Sequence, residues 1–203
     1  MFNPKIILII FSCVAVNVFY SYKNFPAVLY GVEGSFNLLT AIPWIATVFP
    51  FFVMTGAYFS LMEENKIFLL SRIKKINIYH VYFVLTIIFS ATVYCLFYVA
   101  LAYLFGGNTF EILCCGVLIC ANIILVAMVQ WCIYSVKKSV MASLLTVIFI
   151  IVFPLLFYKN NFIIGAWAMF VKTDSLLICI PELLFSALIF CLKNYLGEYK
   201  WQK

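Results

Sequence analysis

Residues 79–105 read YHVYFVLTIIFSATVYCLFYVALAYLF, Tyr79 to Phe105, with His80 as the only titratable nitrogen and no acidic residue. A bilayer's hydrocarbon core is crossed by about 20 helical residues. The run is apolar on every helical face and lacks the period-two alternation of a barrel strand, so it reads as a transmembrane helix long enough to tilt or emerge. Working outward, the same reading applies downstream to Ile112–Val136, Ser139–Tyr158 (with Pro154 near its end) and Ser175–Cys191. Upstream lie Ala41–Met62, which carries Pro43 and Pro50, and Ile6–Tyr22. Prolines are tolerated in membrane helices whose neighbours satisfy the freed carbonyls, so kinks are expected in the second run. The first run could pass for a signal peptide, but Phe19-Tyr20-Ser21-Tyr22-Lys23-Asn24 offers no small-x-small cleavage site, so it is read as a retained anchor.

Composition agrees. Of 203 residues, 67% are hydrophobic and 10% charged, more apolar surface than a soluble domain of this size can hide. The expectation is an all-α, polytopic membrane protein with six transmembrane helices, forming a single domain over residues 1–203. The longest connections, 23–40, 63–78 and 159–174, are too short to fold alone. The abundance of Ile, Phe, Tyr, Lys and Asn points to an AT-rich bacterial genome.

The basic residues set the orientation. Ten (Lys5, Lys66, Arg72, Lys74, Lys75, Lys137, Lys138, Lys193, Lys200, Lys203) fall on one side of the runs, and three (Lys23, Lys159, Lys172) on the other. The positive-inside rule then puts both termini in the cytoplasm. The net charge of +6 is accounted for by this asymmetry and is no argument for nucleic-acid binding.

Several chemistries are excluded. The eight cysteines lie within or at the edge of apolar runs and show no Cys-x-x-Cys spacing, so they read as small buried hydrophobes rather than metal ligands or a disulfide framework. His80 stands alone at the mouth of the third run and is expected to keep its polar edge in water. Glu63-Glu64 invites comparison with intramembrane CAAX-type proteases, but Phe68 occupies the position of that motif's arginine and the further histidines are missing. No P-loop is present. Gly106-Gly107-Asn108 is a turn signal. No cofactor is implied.

Three features remain. Between the second and third runs, Glu63-Glu64-Asn65-Lys66-Ile67-Phe68-Leu69-Leu70-Ser71-Arg72-Ile73-Lys74-Lys75-Ile76 places Leu69, Leu70, Ile73 and Ile76 on one helical face. Ser71, Arg72, Lys74 and Lys75 fall on the other, while Lys66 breaks the pattern. Acidic residues at the start and basic ones toward the end suit the helix dipole. A short helix along the membrane surface is expected, either held by anionic lipid or serving as a docking surface. Second, 159–174 is too apolar for a free loop and too short to span, which fits an external interfacial or re-entrant helix anchored by Trp167. Third, Glu182 follows Pro181 inside the sixth run, where an ionisable group faces the protein interior or a water-filled path, or stands as a lone acid at a kink. Asn122 and Gln130 in the fourth run are expected to bridge helices by hydrogen bonds.

Together these features resemble the type-2 ABC transporter permeases, especially the small six-span subunits of bacteriocin or lantibiotic export and immunity systems. The clearest part is Glu63 through Phe105: acidic residues closing a span, a basic Leu-Leu-Ser-Arg-Ile-Lys-Lys helix, then a long aromatic span. The match is one of layout rather than of invariant letters. It implies that 63–76 is a coupling helix gripping cytoplasmic ABC ATPase subunits through Glu63, Glu64, Arg72, Lys74 and Lys75. It further implies pairing with a second permease subunit, the same chain or a different one. Outward movement of a peptide or lipid-like substrate would then be driven by ATP hydrolysed on the partner, with no catalytic site on this chain. Glu182, Gln130 and Asn122 would be polar positions of the pathway or of helix contacts. Two other readings stand beside it. One is a substrate-capturing subunit for vitamin uptake, which usually docks through small-residue stripes that the bulky first run does not offer. The other is a non-transporting immunity protein.

Overall fold

The computed structural model describes residues 12–13, 38–73, 76–104, 109–157 and 179–201. Most of the first apolar run, the external segment 159–174, Lys74, Lys75 and the Gly106–Asn108 turn lie outside the described residues. Within them the chain is all-helical: α1 Leu38–Glu64, α2 Lys66–Ile73, α3 Ile76–Leu104, α4 Thr109–Lys137, α5 Val140–Phe157 and α6 Cys179–Trp201. Segments of three of these, Pro43–Glu64, Ile76–Leu104 and Phe110–Lys137, are long and apolar enough to cross a membrane.

α4 is the hub. It packs against α1, α3, α5 and α6, and most of its surface is buried. α3 shows why no amphipathic period was visible. Its buried stripe (Tyr79, Phe83, Ile87, Ala91, Cys95, Tyr98, Ala102) recurs every three or four residues. Its exposed side carries Leu85, Phe89, Val93, Leu96 and Phe97. In water an exposed side of that composition would be a large apolar patch; against lipid it is the ordinary surface.

Local chemistry fixes the corners. α1 runs through Pro43 and Pro50. Pro50 has no N–H for the Ala46 carbonyl. At the neighbouring carbonyl, Thr47 O accepts a 2.6 Å bond from the Tyr94 hydroxyl of α3. Asn65 separates α1 from α2. Its backbone N–H and side-chain amide both donate to Leu61 O (3.1 and 2.8 Å), and its own carbonyl accepts from Leu69 N. α4 and α5 are joined by Lys138 and Ser139 alone. Lys138 takes a left-handed φ of 54° and donates its N–H to Tyr134 O. Ser139 then caps α5, its hydroxyl accepting from Ala142 N at 3.3 Å.

Aromatic side chains fill the end of the bundle where α1 finishes and α3 begins. Phe83 stacks on Trp131 with centroids 4.7 Å apart and lies 5.2 Å from Phe59, which reaches Tyr134. The Tyr79 hydroxyl donates to Met62 O near the end of α1. α6 continues helically past Cys191, where the apolar run stops, through Trp201. The extension is held by two polar contacts that hydropathy does not register, described below.

Candidate functional site

Three polar groupings interrupt the apolar interior. The first joins α4 to α1. Gln130, fully buried, accepts a 2.7 Å bond from Thr55 Oγ1 and donates Nε2 to Phe52 O at 3.1 Å. Phe52 O also lies 3.1 Å from the Thr55 hydroxyl, whose single proton is shared between that carbonyl and Gln130 Oε1, so one carbonyl, one hydroxyl and one amide form a closed polar unit. Gly56 makes room for it: a Cβ there would sit 3.3 Å from Gln130 Nε2 and 3.1 Å from Val140 Cγ1.

The second joins α4 to α6. Glu182 has no exposed surface, and its Oε1 accepts a 3.2 Å bond from Asn122 Nδ2. Its other oxygen, Oε2, is also buried and has no hydrogen-bond partner among the described residues. The structure therefore brings together two residues that the sequence singled out separately. An amide donor on the hub helix faces a carboxyl on the last helix.

The third grouping lies at the end that carries the basic residues. His80 is buried rather than turned to water. Its Nδ1 pairs with Asn194 Oδ1 at 2.8 Å, which fits the tautomer carrying its proton on Nδ1. The ring meets Trp131 edge-on. Lys193 stands over the other side of this cluster, its ammonium 3.5 Å from the Trp131 ring centroid and donating to Trp131 O. These contacts hold the foot of α6 to α3 and α4. The spacing of His80 from Asn194 along the chain left no local signal of their meeting.

At the same end Glu63 accepts from Lys138 in the α4–α5 turn and lies 3.6 Å from Lys66 at the start of α2. Glu64 is exposed and accepts a 3.1 Å bond from Ser60 Oγ one turn back on its own helix. Leu69 and Leu70 pack inward against the core. Ile67 (85% exposed) and Phe68 (57%) point away from it, with the Arg72 guanidinium 4.4 Å over the Phe68 ring. Of the residues the sequence grouped as a docking surface, Glu64 and Arg72 are therefore exposed and held only by neighbours on their own helices among the described residues. Glu63 is engaged in tying α1, α2 and the α4–α5 turn together.

Among the described residues no group of three or more His, Cys, Asp or Glu side chains is assembled as a metal site. Neither protein-family models, nor curated proteins, nor solved structures gave a match to the chain.

Proposed function

We propose that the chain is the membrane-spanning subunit of an ATP-driven exporter laid out like the type-2 ABC permeases. In this reading six spans cross a bacterial cytoplasmic membrane, both termini face the cytoplasm, and hydrolysis occurs on separate ATPase subunits. The observation that carries the reading is α2. It is a separate eight-residue helix, pivoted on Asn65 between two long apolar helices, at the end of the bundle that also carries Lys137 and Lys138. Its inner side rests on the core through Leu69 and Leu70, and its outer side presents Ile67, Phe68, Ser71 and Arg72. A helix seated this way transmits a push. Force on Phe68 or Arg72 reaches α1 through the one-residue pivot and the α4–α5 turn through Glu63 and Lys138. A second permease subunit completes the path, and the substrate is a peptide or lipid-like molecule leaving the cytoplasmic side.

A photoreactive amino acid placed at Ile67 or Phe68 of the full chain in its native host tests this. Crosslinking to a soluble Walker-type ATPase is expected; crosslinking to lipid alone contradicts the coupling role. Charge reversal at Arg72, Lys74 and Lys75 is expected to uncouple ATP hydrolysis from transport while insertion is retained. Unchanged transport would contradict it.

A further inference from the structure

Two long helices approach each other closely at the α3–α4 seam. The pairs Val99–Gly116, Thr92–Cys120, Phe83–Trp131 and His80–Trp131 follow one another with numbers rising on one helix as they fall on the other, an antiparallel register. At Gly116 the backbone lies so near α3 that a Cβ there would collide with Val99 Cγ2. One helical turn along, where the residues are again small, the same register sets Cys95 of α3 opposite Cys120 of α4. Small residues at a membrane helix seam bring backbones together, and a disulfide needs Cα atoms about 4.4–6.8 Å apart. The crevice lined by Thr47, Tyr94, Cys95, Tyr98, Gly116 and Ile119 is too tight to admit a water molecule. Both cysteines are free thiols.

We propose that Cys95 and Cys120 form a dithiol site that a lipid-soluble two-electron oxidant of the quinone class closes into a disulfide between α3 and α4. The two sulfurs differ in access. Cys95 is buried, whereas Cys120 is half-buried beside exposed Thr92, whose Oγ1 is 3.9 Å from its sulfur. Val117 and Leu113, one and two turns before Cys120 on α4, and Leu96, one turn after Thr92 on α3, are exposed apolar side chains, so a reagent reaches Cys120 through hydrocarbon rather than water. The proposal needs only that α3 and α4 lie in a bilayer and is independent of the coupling role of α2. Cys120 sulfur adds to the quinone, forming a C–S bond. Cys95 sulfur then attacks Cys120 sulfur, the S–S bond forms, and the C–S pair leaves with the ring. Both thiol protons end on the quinol oxygens, so two thiols are oxidised and one quinone is reduced.

Full-length protein in lipid nanodiscs would be treated with a short-chain benzoquinone analogue, alkylated without reduction, and cleaved by trypsin and a glutamyl protease. The only Lys, Arg or Glu between Lys75 and Lys137 is Glu111. Cys95 and Cys120 therefore fall on separate peptides, Ile76–Glu111 and Ile112–Lys137. The expected product is these two peptides joined by a disulfide, absent in both Cys95→Ser and Cys120→Ser and retained in Cys114→Ser and Cys115→Ser. Recovery of Cys95 fully alkylated, or a link that survives Cys120→Ser, would overturn the site. Closure by a water-soluble oxidant but not by the quinone would overturn the assigned oxidant.

Discussion

Gln130 lies about two turns before the end of the hub helix with no exposed surface, and its amide is satisfied on both sides by α1. Lipid chains are as apolar as leucine, so burial alone does not hold two membrane helices together; packing and interhelical hydrogen bonds do. Such bonds contribute on average about 0.6 kcal/mol and up to about 1.7. Gln130→Leu and Thr55→Val are each expected to destabilise by about 1 kcal/mol. The double variant should lose less than the two losses combined, because each single change already breaks the shared bond. Unfolding midpoints in mixed detergent read this; full additivity would contradict the pairing. Glu182 gives a sharper contrast. Glu182→Gln keeps the shape and a hydrogen-bonding group opposite Asn122. Asn122→Leu strips the carboxyl of its one donor among the described residues, and a buried group left unmet costs roughly 1–3 kcal/mol. Asn122→Leu should therefore be the less stable of the two by that measure, and the reverse order would contradict the pair. At this scale the sequence marked Glu182, Asn122 and Gln130 as polar interruptions of apolar runs but not whom they meet. Glu182 and Asn122 stood out because each interrupts an apolar run. Thr55 and Asn194 did not, because a threonine in a span and an asparagine beyond one are unremarkable until the partner helix is in place.

At the scale of elements, hydropathy located the helices well. Ala41–Met62, Tyr79–Phe105, Ile112–Val136 and Ser139–Tyr158 each coincide within a few residues with α1, α3, α4 and α5. It did not show that α6 runs on to Trp201, since what holds its foot is His80–Asn194 and Lys193–Trp131 rather than apolar surface. Nor did it show which face of α3 packs: a residue against lipid and one against α4 obey the same rule. The α4–α5 corner offers a clean test. A left-handed residue other than glycine costs roughly 1–2 kcal/mol, while the partly exposed Glu63 pair is worth at most about 1. Lys138→Ala keeps the strain and loses the pair, whereas Lys138→Gly loses the pair and relieves the strain. The glycine variant should be the more stable by about 1 kcal/mol in thermal unfolding in micelles. Equal midpoints would contradict the strained corner.

For the whole molecule, the polar groupings and the charge asymmetry point the same way. Lys66, Arg72, Lys137, Lys138 and Lys193 gather at one end of the bundle, with α2 among them. In the proposed reading the positive-inside rule makes that end cytoplasmic, where a motor would have α2 within reach. Reporter fusions made after Lys75 and after Asn108, on the two sides of α3, decide this directly. The six-span reading predicts a fluorescent, phosphatase-negative fusion at Lys75 and a phosphatase-active one at Asn108. Phosphatase activity at Lys75 would place α2 outside the cell and contradict the coupling role from its foundation.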